Sequence, residues 1–311
     1  DVLDDLGKKY SEAGLLSKYQ MLNKRLGQIS EGKEAWLKHC QRYGDGRIHG
    51  SVLTNACVSG RCSHRSPNIS AVPKVGQPYG SECRALFHAP HGWRQVGCDA
   101  SGLELRALSS WLSYFDGGEY AKLVSTEDFD IHTHNAKLFG IYDGQGTIEK
   151  RIREQAKTLI YAVLYGAGPQ KLGTIVAPSL SERKQKEIGY ETIDTFYKNL
   201  PAIKKLKDKV DEKVTHKGHL IGIDGRHLQI RSRHTALNQL LQSTGSLCVK
   251  KATCILYEDC KQNHLRWGIH YAFVAHIHDE IQALVKPQHV SLYKKLAVDC
   301  FRKSGEYFNL K

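Results

Sequence analysis

No stretch of this 311-residue chain approaches the ~18 unbroken apolar residues of a membrane-spanning helix, so none is expected. The opening residues, DVLDDLGKKY, lack the basic-then-apolar pattern of a secretory signal. Position 1 is not Met, which leads us to expect a piece of a longer protein. Cysteine pairs at metal-ligand spacing are also missing. Cys57 and Cys62 are five apart, and Cys248, Cys254 and Cys260 are six apart, so no C-x-x-C pair argues for zinc. The nine scattered cysteines read instead as small buried thiols of a reducing cytosol. There is no internal repeat and no low-complexity tract.

What is present is ordinary globular composition: 41% hydrophobic and 25% charged residues, which argues against wholesale disorder. The length suits about two domains and a real buried core. Charge is the first functional hint. Lys plus Arg number 45 against 32 Asp plus Glu, a formal net charge of +13. That excess favours a polyanionic partner such as nucleic acid, although an acidic membrane surface or solubility alone would also fit.

Residues 2–42 read as helices, with Leu15, Leu16, Leu22, Leu26, Trp36 and Leu37 at helical spacing. Residues 44–92, rich in Gly, Pro, Ser and His, read as short strands and loops. A strand over 94–98 should end at Asp99, followed by a helix over about 102–115 that stops at Asp116-Gly117-Gly118. From about 130 to 216 the pattern is helical, broken at 140–146, 166–169, Pro178 and Pro201. Residues 219–223 and 227–230, joined by Asp224-Gly225, predict a hairpin. A long helix over about 233–262 follows. Then come strands over 271–277 and 281–285 around His278-Asp279-Glu280, and a last helix over about 288–304. Strands with acids at their ends thus bracket a long helical insertion.

Three constellations carry chemistry. In Asp99-Ala100-Ser101-Gly102-Leu103-Glu104-Leu105-Arg106, an Asp at a strand end is well placed to hold a cation. The same residues also read as a helix start, with Ser101-x-x-Glu104 as a capping box. In Ile277-His278-Asp279-Glu280-Ile281, a carboxylate is held between two apolar strands, or the acids merely form a polar hairpin tip. Two such carboxylates brought together could share two divalent ions about 4 Å apart, the arrangement used in phosphoryl transfer. Oxygen ligands suit Mg²⁺. The third is Arg153-x₃-Lys157-x₃-Tyr161-x₃-Tyr165-Gly166. Steps of four stack these side chains on one helix face, cations for phosphates and rings for a base. A solvated basic face running into a tyrosine-containing core has the same pattern.

In this order the three blocks resemble motifs A, B and C of the family A (Pol I-like) DNA polymerases. The wording DASGLELR, DIHTHNAKLFG, AKTLIYAVLYGAG, RSRHTALNQLLQSTG and HIHDEIQ is most similar to the replicative enzymes of short-tailed, T-odd bacteriophages. The resemblance runs from about residue 15 to 309. It implies an α+β fold: a polymerase palm on a small antiparallel sheet, with an inserted helical fingers subdomain and remnant thumb helices. The implied divisions are thumb remnant 1–43, palm 44–115 and 234–311, and fingers 116–233.

The resemblance also implies roles. Asp99 and Asp279, with the Ala100 carbonyl, would bind two Mg²⁺ (or Mn²⁺) ions. Glu104 would exclude a 2′-hydroxyl from the incoming sugar. His132, Arg153 and Lys157 would grip the triphosphate, Tyr161 would pack on sugar and base, and Tyr165 would sit near the template base. His278 and Glu280 would flank the metals. Val58-Ser59-Gly60-Arg61 is similar to the family's T-G-R element, with Ser for Thr. Arg61 and the series His234, Asn238 and Gln242 on the long helix would face the minor groove. Its acceptors are nearly alike for all base pairs, so shape is checked without reading sequence.

The implied activity is template-directed, primer-dependent DNA synthesis from dNTPs in the cytoplasm of a phage-infected bacterial cell. The partners would be primer-template DNA and dNTPs, with no membrane. The family's exonuclease, most of its thumb and its closing C-terminal segment are not recognisable here. A thioredoxin-type processivity factor, which docks on a thumb insertion, is therefore not expected to bind. A single-subunit RNA polymerase is one alternative, and Glu104 argues against it because it would obstruct a ribose. A non-catalytic nucleic-acid-binding remnant is the other, and the intact Asp99, Lys157 and Asp279 argue against it.

Overall fold

Alternation along 94–99 and 280–285 decides how the central sheet is built. Val96 and Cys98 pair with Ala283 and Ile281 and turn to one face, while Gly97 and Asp99 pair with Gln282 and Glu280 on the other. A computed structural model describes residues 2–310, which form two compact units. One holds the chain up to Ala56 together with Cys62–His88, and the other holds Cys57–Arg61 and the chain from Ala89 onward.

The first unit begins with helices α1 (Val2–Gly7), α2 (Ser11–Leu26) and α3 (Trp36–Tyr43), the last two joined through a π-helical turn at Gly27–Glu31. A two-stranded antiparallel pair, β1 (Ser51–Leu53) and β2 (Ser63–Arg65), and a short helix α4 (Gly80–Ala85) complete it. Trp36 is buried edge-on against Phe87, with ring centroids 5.1 Å apart. The sequence reading of loops and short strands for 44–92 omits α4. Its six residues are too few to show a helical period.

The second unit opens with β3 (Arg94–Asp99) and α5 (Leu103–Asp116), and continues through α6 (Glu119–Ser125), α7 (Ile131–Leu138), α8 (Lys150–Leu164), α9 (Pro169–Val176), α10 (Glu182–Asn199) and α11 (Pro201–Lys217). The hairpin β4 (His219–Ile221) and β5 (His227–Gln229) leads to the 27-residue α12 (Ala236–Gln262). Strands β6 (Tyr271–Ile277) and β7 (Glu280–Val285) and helix α13 (Val290–Tyr307) follow. The sheet order is β3-β7-β6, wholly antiparallel, with a bulge in β6 between Phe273 and Ala275.

Two cores divide this unit. Val96, Ile281, Ala283 and Val285 pack on Val249, Leu256, Tyr293 and Ala297, so α12 and α13 cover one sheet face. Leu105, Leu108, Leu112, Leu159, Ile160, Phe196 and Leu240 form the other core, among the helices inserted between β3 and the C-terminal strands. Helices α9 and α10 meet backbone to backbone. A Cβ on Gly173 would lie 1.6 Å from the Gln185 carbonyl, and one on Gly189 would lie 1.8 Å from the Pro169 carbonyl. The breaks expected at 140–146, 166–169, Pro178 and Pro201 fall at helix boundaries, with Pro169 and Pro201 as the first residues of α9 and α11. No helix among the described residues is long and apolar enough to cross a membrane.

Candidate active site

The register of β3 against β7 sets Asp99 directly opposite Glu280. Just beyond, the Ala100 N–H donates to the Asp279 backbone carbonyl at 3.1 Å, so the two motif-bearing turns are tied together. His278 holds the turn in the left-handed region, at φ 56°. Burial, then the charges of Asp279 and Glu280, raises the Asp99 carboxyl above its usual range. Repulsion of this kind is what a divalent cation relieves, and two carboxylates plus the Ala100 carbonyl are hard oxygen donors of the kind Mg²⁺ takes. The Ala100 carbonyl also accepts from Leu103 N–H at 3.3 Å, which leaves it a second lone pair. The donors present are of the chemical type that a divalent cation takes. Among the described residues no group of three or more His, Cys, Asp or Glu is arranged for a metal. Glu280 is engaged by the side chain of Gln282, which in turn accepts from Gln95 at 3.0 Å.

Helix α5 does not begin with the capping box that Ser101 and Glu104 suggest. Its N-cap is Gly102, at φ 63°, with no side-chain cap bond. That left-handed turn starts the helix at Leu103 and frees the Glu104 carboxylate for other partners. Tyr165 donates its hydroxyl to Glu104, 2.9 Å from either oxygen, and Arg61 Nη2 approaches at 3.3 Å. Burial, then the bond to Glu104, pushes the Tyr165 phenol up to about 12.

Arg61 is steadied from behind. Arg226 Nη2 donates to the Ser59 carbonyl at 3.2 Å and to Ser243 Oγ at 3.1 Å, and Ser246 Oγ donates to the same carbonyl at 2.8 Å. Arg226 escaped the sequence reading because it looks like a hairpin-tip charge. Its only signal was its position after Asp224-Gly225.

Helix α8 presents Arg153, Lys157 and Tyr161 in one strip, continued by Tyr165 at its C-cap, with the tyrosine centroids 6.3 Å apart and the rings 28° from parallel. Lys157 is exposed and makes no ion pair among the described residues. Tyr161 is half-buried, and burial followed by the charges of Glu104 and Asp279 raises its phenol pKa. One tyrosine thus feels the carboxylates of both strand-end blocks, so the three constellations converge. Burial, then Arg153 and Lys157, lowers His132 and keeps it neutral at neutral pH. Arg153 is not free for a ligand along its whole edge: Nε and Nη2 clamp Asp130 at 2.7 and 3.1 Å. Asp130 was not singled out from sequence, although its place at the head of DIHTHNAKLFG is an N-cap signal.

His234 lies outside the long helix on which the sequence reading put it. Ser232 Oγ and His234 Nδ1 are 2.8 Å apart and Thr235 Oγ1 donates to the Ser232 carbonyl at 2.8 Å, in a single 3₁₀ turn over Arg233–Thr235. Such local bonds compete with the α ladder, so α12 begins at Ala236. Asn238 and Gln242, both partly exposed, stand one turn apart on α12.

The sequence profile of DNA polymerase family A matches residues 1–311. The chain belongs to that family. It is 37% identical to the DNA-directed DNA polymerase of Enterobacteria phage T3 and 36% identical to that of Escherichia phage T7, each over 98% of this chain and 44% of the relative. The phage character of the wording is borne out, and the chain spans less than half the length of these relatives. A solved POL domain of Pol1 from M. smegmatis, in complex with DNA primer-template and dNTP, superposes with a TM-score of 0.76 at 17% identity, over 97% of this chain and 52% of that one. That likeness bears on the fold alone: an α+β polymerase domain with a small antiparallel sheet and a helical insertion, as expected.

Proposed function

We propose that the chain carries the palm (44–115 and 234–311) and fingers (116–233) of a phage DNA polymerase, with residues 1–43 from its thumb. Its reaction is attack of a primer 3′-hydroxyl on the α-phosphate of a templated dNTP, releasing pyrophosphate. The observation that carries this reading is the joining of the three separated blocks: the Ala100 N–H, next to Asp99, donates to the Asp279 carbonyl, and Tyr165 donates to Glu104. The names of the phage relatives support it.

Asp99, Asp279 and the Ala100 carbonyl would hold two Mg²⁺ (or Mn²⁺), whose charge activates an attacking oxygen and stabilises a leaving one. Arg153, Lys157 and His132 bind and orient the triphosphate. Lys157, which makes no ion pair among the described residues, acts most as charge grows on the phosphates. Tyr161 packs on the sugar and base. Glu104, fixed by Tyr165 and Arg61, fills the space of a 2′-hydroxyl. Arg61, His234, Asn238 and Gln242 line the minor groove, Tyr165 lies near the template base, and His278 and Glu280 brace the metal-binding turn. The net charge of +13 serves the DNA backbone.

The test offers one dNTP at a time to four primer-templates that differ only in the first unpaired template base. Mg²⁺-dependent addition of the complementary nucleotide is expected. Addition that ignores the template base, or a preference for NTPs, overturns the reading.

A further inference from the structure

The N-terminus of α7 and the N-terminal turns of α8 are joined by one side chain. Asp130 is the N-cap of α7: its Oδ1 accepts from the His132 N–H at 3.2 Å and its Oδ2 from Thr133 Oγ1 at 2.6 Å. The same two oxygens take Arg153 of α8 side-on, Nε on Oδ2 at 2.7 Å and Nη2 on Oδ1 at 3.1 Å. Four donors thus converge on one carboxylate. The pairing leaves Nη1 on the other edge of the guanidinium, where it donates to the exposed Glu154 at 3.3 Å.

We propose that Asp130 is a positioning residue for nucleotide binding, holding Arg153 and His132 as one rigid receptor for the triphosphate. This rests on the polymerase reading above. Arg153 has a long side chain with many rotamers, and ordering such a chain on binding weakens affinity. Planar two-point pairing removes that freedom before the ligand arrives and fixes the direction of the remaining N–H bonds. Capping by the same carboxylate sets the first turn of α7, and with it the His132 ring. The carboxylate also subtracts positive charge from Arg153. Both side chains are about one third exposed, 37% and 36%, so water and salt screen that loss, whereas geometry is not screened. Orientation therefore wins. Lysine cannot reproduce it, since an ammonium offers no two-point fork.

The residue's two jobs can be separated. Asn caps a helix about as well as Asp, so Asp130→Asn keeps α7 and loses the charged clamp, while Asp130→Ala loses both. In primer extension, Asp130→Asn should raise the dNTP KM about tenfold, with kcat within about threefold and the melting temperature unchanged. In an Arg153→Ala background, where KM is already high, Asp130→Asn should add nothing. Arg153→Lys should behave like Arg153→Ala. Calorimetric titration of inorganic tripolyphosphate should weaken in parallel. An unchanged KM in Asp130→Asn overturns the proposal, as does a KM defect that multiplies with Arg153→Ala. Equal loss of melting temperature in the Asn and Ala variants also overturns it and leaves Asp130 a structural cap. A wild-type chain that fails to copy the template sinks the polymerase reading instead. In that case the tripolyphosphate titration still decides the role of Asp130.

Discussion

Tyr165 and Glu104 share one proton-donating contact across two motifs: the phenol lies 2.9 Å from each carboxylate oxygen. The pair joins the C-terminal end of α8 to the first turn of α5, and so fixes the direction of Glu104 before any nucleotide is bound.

Sugar selection should follow from that contact. Glu104→Ala is expected to raise ribonucleotide relative to deoxyribonucleotide incorporation. Tyr165→Phe, which only loosens the carboxylate, should raise the ratio less. Because the Tyr165 phenol is pushed up to about 12, the wild-type ratio should be flat between about pH 7 and about pH 9. Competitive incorporation of dNTP against NTP measures it. A ratio unmoved in Glu104→Ala would falsify the assignment, because no capping role remains to explain the residue.

Asp99 and Asp279 repel each other when nothing is bound between them. A carboxyl whose pKa is raised by folding costs the fold stability once pH exceeds its unfolded value. Asp279→Asn removes part of that cost. In EDTA at neutral pH it should melt at a higher temperature than the wild type, yet fail to extend primers. Thermal melts in EDTA check this, and a lower melting temperature contradicts the placement of the two acids.

His132 is neutral because burial, Arg153 and Lys157 depress its pKa. Bound phosphate favours the protonated ring, so dNTP binding should take up a proton. The dNTP KM should therefore fall a few-fold between about pH 8 and about pH 6. His132→Gln, which cannot titrate, should lose the part of this trend that exceeds the titration of the nucleotide. Parallel KM–pH profiles for the two proteins would contradict it.

Tyr161 should decide the use of dideoxynucleotides. Its hydroxyl can replace the missing 3′-hydroxyl as a polar partner in a closed site, where an unmade bond costs about 1–3 kcal/mol, or roughly tenfold to a hundredfold in rate. Tyr161→Phe should discriminate strongly against ddNTPs with little change for dNTPs. An unchanged ddNTP/dNTP ratio, accompanied by a stability loss, would make Tyr161 an ordinary core residue.

Strong periodicity and strong punctuation made most of the second unit legible. Asp99 stands at the end of β3 as expected, and the 271–285 hairpin presents Asp279 at its turn. The long-range pairings were not legible. Glu104 fits a capping box locally, and only the left-handed Gly102 and the distant Tyr165 and Arg61 redirect it. Asp130 and Arg153 are 23 positions apart with a loop between their helices, so no local pattern joins them. The spacing of His234 to Asn238 and Gln242 is helical, and the local bonds of Ser232 and Thr235 override that spacing.

The most direct test of the account is single-nucleotide extension of a primer-template by the wild-type chain and by Asp99→Ala, with DNA affinity measured on the same samples by anisotropy. The account predicts templated, Mg²⁺-dependent extension by the wild type. In Asp99→Ala it predicts an extension rate at least about a thousandfold lower, with DNA affinity little changed. Undiminished extension in Asp99→Ala would contradict it.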